Sequence, residues 1–128
     1  MKVFQEVSIK QKQDNSLFGL GVTYGTATAI EILAQYEVEP VSLVCRHITG
    51  DWGSFGSFQE IELSEEEANG ESWLLSEEPG KKNVWSLRNN GVEIKSEYIL
   101  PGGETVWVST IRKGSGSTIR EGYSGLRN

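Results

Sequence analysis

The spacing of apolar positions changes character along this chain, from a helical period in the first half to strict alternation in the last third. From Thr26 to Tyr36 the residues Ala29, Ile30, Leu33 and Ala34 fall three and four apart. That spacing predicts an amphipathic helix, and Thr26 is placed to cap it. Glu37 to Glu39 break the pattern. Pro40 predicts the start of a second helix, because its missing N–H is not needed there. Val41, Val44, Cys45 and Ile48 then form an apolar stripe, and Gly50 is a natural stop. Ser64 and Glu67 fit a capping box for a short exposed helix, closed by Pro79-Gly80. Asn83 to Arg88 predicts one more helical turn, with Val84, Trp85 and Leu87 inward, and Asn89-Asn90-Gly91 ends it. Beyond Gly91, Val92, Ile94, Ser96 and Tyr98 alternate with Glu93, Lys95 and Glu97. Val106, Val108 and Thr110 oppose Trp107 and Ser109. Leu100 to Glu104 and Arg112 to Gly116 are turns, and Ser117 to Tyr123 returns as a third strand.

The N-terminal quarter is less regular. Val3, Val7 and Ile9 share a parity that suits a strand ending at Lys10, Gln11 to Ser16 reads as loop, and Leu17 to Tyr24 as an extended segment on the core. The expected fold is one α+β domain over residues 1–128. Its short helices pack on one face of a small antiparallel sheet from the C-terminal third. Residues 56–80 stand out as an acidic insertion and residues 124–128 as a flexible tail.

Composition narrows the function classes. The chain has 128 residues, 12 Lys and Arg against 18 Asp and Glu, and a formal net charge of −6. A broad nucleic-acid surface is disfavoured, because such binding draws on clustered cations. A single cysteine excludes an intramolecular disulfide and suits a cytoplasmic protein. Met1 to Glu6 soon turns polar and lacks the apolar core of a signal peptide. No apolar run approaches a membrane span. One Cys and one His fall short of a zinc set, and no calcium-loop spacing is present. Gly19-Leu20-Gly21 and Gly114 to Ser117 lack the remaining residues of nucleotide-binding loops. No metal or cofactor is expected.

Candidate chemistry concentrates in Cys45 to Gly53, which holds the only histidine and the only cysteine of the chain. Arg46, His47 and Asp51, with Thr110 from the hairpin, have the makings of an acid–base set around a phosphodiester. Histidine titrates near neutrality, a carboxylate orients it, and arginine stabilises developing negative charge. The same residues also suit a structural corner: His47 capping a helix end, Asp51 holding a turn, Trp52 anchoring a core. Cys45 lies on the apolar stripe and reads as an inert thiol. Trp52, Phe55 and Phe58 among glycines suit an exposed recognition patch or a cover over the sheet edge. Glu65, Glu66 and Glu67 offer an acidic face to a basic partner.

Arg46-His47-Ile48-Thr49-Gly50-Asp51-Trp52-Gly53 and Ser96 to Val108 resemble a family of short proteins of plasmids, phages and other mobile elements. The family's patterns are Arg-His-x-x-Gly-Asp-Trp-Gly after a Thr-capped helix, then Ser-x-Tyr-x-Leu-x-x-Gly-x-x-x-Trp-Val. The likeness spans roughly residues 17–119, interrupted by the acidic insertion. Thr110 to Thr118 departs from it: the family's Glu, Asp and Arg in this stretch have no counterpart here. The resemblance implies a mobile-element accessory protein that binds a protein partner and modulates host defence, conjugation or replication. The alternative is a small metal-independent, toxin-like ribonuclease using Arg46, His47, Asp51 and Thr110. Whether the chain is an enzyme stays open at this level.

Overall fold

The computed structural model describes residues 4–7, 15–70, 78–112 and 116–122. The expectations for Val3, Ile9, residues 11–14, 71–77, the 113–115 turn, Tyr123 and the 124–128 tail lie outside these.

The chain is an α+β domain built on one five-stranded sheet. Its elements are β1 (Phe4–Val7), β2 (Thr23–Thr26), α1 (Ala27–Gln35), α2 (Pro40–Ile48), α3 (Glu65–Asn69), α4 (Pro79–Asn89), β3 (Glu93–Ile99), β4 (Thr105–Ile111) and β5 (Gly116–Glu121). The strand order is β1-β2-β5-β4-β3. The sheet is therefore mixed rather than antiparallel, and wider than the C-terminal third. β2 and β5 run parallel, with Tyr24 beside Thr118, while the other three pairings are antiparallel. A parallel pair needs a long crossover. Among the described residues four helices and the β3–β4 hairpin intervene, so β2 carries no local signal of its partner.

The helices begin where the caps place them. Thr26 Oγ1 accepts from the Ala29 amide at 3.1 Å, which opens α1, and Pro40 stands at the first turn of α2. Ser64 and Glu67 complete the predicted capping box of α3. α4 is longer than its apolar pattern suggests. Pro79, read as a stop, occupies its first turn, and Asn90 ends it in the left-handed conformation at φ 58°. In α2 the buried face is Leu43, Val44, His47 and Ile48, with Val41 and Cys45 only half-buried. The stripe is rotated from the predicted one because His47, counted as polar, points inward.

α1 and α2 cover one sheet face. Ala29, Leu33, Leu43 and Val44 pack there against Tyr98, Val106, Val108 and Ile119. A second cluster, Trp52 with Val84 and Ile94, joins the 50–63 loop and α4 to β3. The outer edge of β3 is sealed. Asn83 Nδ2 donates to the Lys95 carbonyl at 2.7 Å, and Asn83 Oδ1 accepts from the Lys95 amide at 2.9 Å. The Ser54 amide donates to the Glu97 carbonyl, and the Glu97 amide to the Trp52 carbonyl. Capping the backbone of an edge strand in this way removes a template for pairing with another chain.

Candidate functional site

The Arg46–Gly53 segment owes its shape to a helix that stops abruptly. Gly50 takes φ 98°, and the Asp51 amide donates back to the Arg46 carbonyl at 2.9 Å, reversing the chain. Gly53 takes φ 67° and passes so close to the Glu97 carbonyl that no Cβ would fit. Neighbouring side chains on a helix diverge by about 100°, and at the end of α2 that divergence separates two environments.

His47 is fully buried, with Nδ1 2.7 Å from Ser96 Oγ and Nε2 2.9 Å from Thr110 Oγ1. Thr110 Oγ1 lies 2.7 Å from Ser117 Oγ, which donates to the Leu20 carbonyl at 2.8 Å. This last bond orders the whole row. A carbonyl only accepts, so the single Ser117 proton is committed to Leu20. Thr110 must then donate to Ser117, and its oxygen accepts from His47. The ring therefore carries its proton on Nε2, and Ser96 donates to Nδ1. Phe18 meets the imidazole edge-on at 5.2 Å. Burial, with no charged partner, pushes the His47 pKa down to about 3, so the ring is neutral at physiological pH.

Arg46 and Asp51 are elsewhere, at the surface. Arg46 Nε donates to Asp51 Oδ2 at 2.7 Å, and the two side chains are 47% and 51% exposed. The guanidinium lies 4.5 Å from the centre of the Tyr98 ring. That hydrogen bond, helped by the Gly53 amide, holds the Asp51 carboxyl below the usual range, and it raises Arg46. Tyr98 Oη donates to the Asp51 carbonyl at 2.7 Å, and burial pushes the phenol up.

The four residues of the acid–base set thus separate into two pairs. His47 and Thr110 meet in the interior with their polar atoms engaged, whereas Arg46 and Asp51 meet outside. Asp51 orients the turn, not the imidazole. Trp52 is completely buried, and its Nε1 donates to the His47 carbonyl at 3.1 Å, so it anchors the corner and offers no surface to a partner. Phe55 and Phe58 are half-buried against the same cluster. Glu67 is engaged by its capping box and by Lys81 at 2.9 Å, while Glu65 and Glu66 are exposed on α3.

A different feature faces outward beside α4. A groove of about 600 Å³ runs between this helix and the outer side of β3 and β4, within the range of ligand pockets. Phe55, Trp85 and Trp107 supply aromatic surface, and Lys82 and Lys95 supply charge. The Lys95 ammonium lies 4.9 Å from the centre of the Trp107 ring, and the Arg120 guanidinium 5.2 Å. Sequence reasoning marked Trp107 and Lys95 only as the outward half of an alternation. Their convergence with Trp85 needs the hairpin register and the position of α4. Among the described residues no cluster of three His, Cys, Asp or Glu is placed to hold a metal, and no helix is long and apolar enough to cross a membrane. Set against protein-family models, curated proteins and solved structures, the chain matches none.

Proposed function

We propose that this protein acts by binding a protein partner, and that the aromatic groove along α4 is where it does so. The observation that carries this reading is the convergence of Trp85, Trp107 and Phe55 in one accessible channel with lysines at its rim. Aromatic side chains supply most of the energy where proteins meet, and cations over indole rings add to it. Against catalysis stands the enclosure of His47, whose two ring nitrogens are both occupied by hydroxyls. The resemblance of Arg46–Gly53 and Ser96–Val108 to mobile-element proteins extends the proposal: a cytoplasmic accessory protein acting on a host defence, conjugation or replication factor.

A photo-crosslinking residue at Val92, which lines the groove and is 53% exposed, tests this in lysate of the native host. One dominant protein should be captured, and Trp107→Ala in the same background should abolish the capture while circular dichroism of the purified variant shows that it stays folded. Equal capture with and without Trp107 would place the binding surface elsewhere. RNA cleavage that disappears in His47→Gln with the fold intact would reinstate the enzyme.

A further inference from the structure

We infer that the groove along α4 takes an acidic, extended segment of the partner protein, about five residues long, with an apolar side chain at its centre. This inference rests on the binding reading above and specifies its ligand.

Length comes from the helix. Residues at both ends of α4, Pro79 and Asn90, line the groove. The 11 residues of that helix span about 16 Å at 1.5 Å each. An extended chain covers that distance in about five residues.

The sign of the charge comes from how the ionic groups on this side are satisfied. The carboxylates already have donors: Glu93 accepts from Ser109 Oγ, and Glu97 from Trp107 Nε1 and Ser54 Oγ. The cations do not have acceptors of comparable strength. Among the described residues every salt bridge is made by Arg46 or Lys81, so Lys82, Lys95 and Arg120 have no carboxylate partner there. Lys82, Lys95 and Arg120 against Glu93 and Glu97 leave this side one positive charge in excess, beside indole rings, in a chain of net charge −6. Opposite charge at the rim sets the specificity and encounter rate of such a site. A segment with carboxylates at its ends and one aromatic or aliphatic side chain between them matches both features. Single-stranded nucleic acid also combines negative charge with flat rings. The overall acidity of the protein repels a long polyanion, whereas a segment of five residues interacts only with the groove.

The test uses the full chain, labelled with nitrogen-15, titrated with three blocked peptides: Asp-Glu-Phe-Glu-Asp, Asn-Gln-Phe-Gln-Asn and Lys-Arg-Phe-Arg-Lys. The indole N–H signals of Trp85 and Trp107 report binding. The acidic peptide should shift both signals, about tenfold more tightly than the uncharged one, in keeping with two exposed ion pairs. Lys82→Glu with Lys95→Glu should invert the preference toward the basic peptide. Should that variant fail to fold, Lys82→Ala with Lys95→Ala should cost about tenfold in affinity for the acidic peptide. Equal binding of the acidic and uncharged peptides would overturn the charge assignment and leave the binding reading intact. Preference for the basic peptide, or for an oligothymidine over every peptide, would overturn the inference. Unmoved indole signals with all probes would overturn it and remove the groove from the binding reading as well.

Discussion

The two faces of the β3–β4 hairpin carry polar groups in opposite states. On the inner face Ser96 and Thr110 clasp His47, and every donor in the row has one destination, ending at the Leu20 carbonyl. On the outer face Lys95 and Arg120 lean on Trp107 and find no carboxylate among the described residues. The inner arrangement spends its hydrogen-bonding capacity on holding the fold, and the outer one leaves the Lys95 and Arg120 charges without a carboxylate among the described residues. Chemical potential in a side chain is therefore a poor guide to function until its partners are known. The single histidine of this chain has both ring nitrogens engaged by hydroxyls in the interior.

The sharpest way to break this contrast is to empty the inner face. His47→Ala would remove a buried ring and leave Ser96 and Thr110 each short of a partner. A loss of about 3–5 kcal/mol in urea unfolding is expected from cavity and unsatisfied polar groups together. Trp107→Ala on the outer face gives up a half-buried ring and its hydrogen bond to Glu97, and should cost about 1–2 kcal/mol, less than the loss at His47. Comparable losses at the two positions would erase the distinction.

Acid supplies the next largest effect. The folded protein holds His47 neutral down to about pH 3, while the unfolded chain takes up its proton near 6.5. Between those values the unfolded state binds one more proton, so stability is full above 6.5 and falls as the pH drops toward 3. About two pH units below 6.5 the loss should be roughly 3 kcal/mol. Urea midpoints measured across this window should show the slope in the wild type and lack it in His47→Gln. A flat wild-type profile would mean that the ring is not enclosed.

The smallest effect sharpens the comparison at the corner itself. Asp51→Asn removes an ion pair that is about half exposed, and surface pairs contribute about 1 kcal/mol at most. Thermal unfolding should move only slightly, and less at high salt. A collapse of stability would make the Arg46–Asp51 pair part of the core, contrary to its exposure.

Local chemistry was legible in the sequence where it acts over a few residues. Thr26 caps α1, Ser64 and Glu67 box α3, Gly50 stops α2, and the alternation from Ile94 to Tyr98 aligns with that from Val106 to Thr110 as drawn. What stayed hidden depends on distant partners. The parallel pairing of β2 with β5 joins residues more than ninety positions apart, as Tyr24 beside Thr118 illustrates. His47 reads as a polar helix-end residue until Ser96 and Thr110, on two other strands, make the interior habitable for it. The acid–base set failed to assemble for the same reason: adjacency of Arg46 and His47 in sequence is divergence on a helix. Trp85 does lie on a helix as its pattern predicts, but it lines the groove instead of facing inward, and Pro79 opens that helix where it reads as a stop, being tolerated at a first helical position.

The Asn83 amide imitates a peptide unit, offering one N–H and one C=O to a strand that has run out of neighbours. Its consequence lies in solution behaviour more than in architecture. An aspartate there would keep the acceptor for the Lys95 amide but set a negative oxygen against the Lys95 carbonyl. That stretch of the strand margin would then stand open to pairing with a neighbouring copy, which light scattering of a concentrated Asn83→Asp solution would register. One carboxamide thus bears on self-association as well as on the fold, beside the Ser54 and Trp52 backbone groups that cover the strand at Glu97.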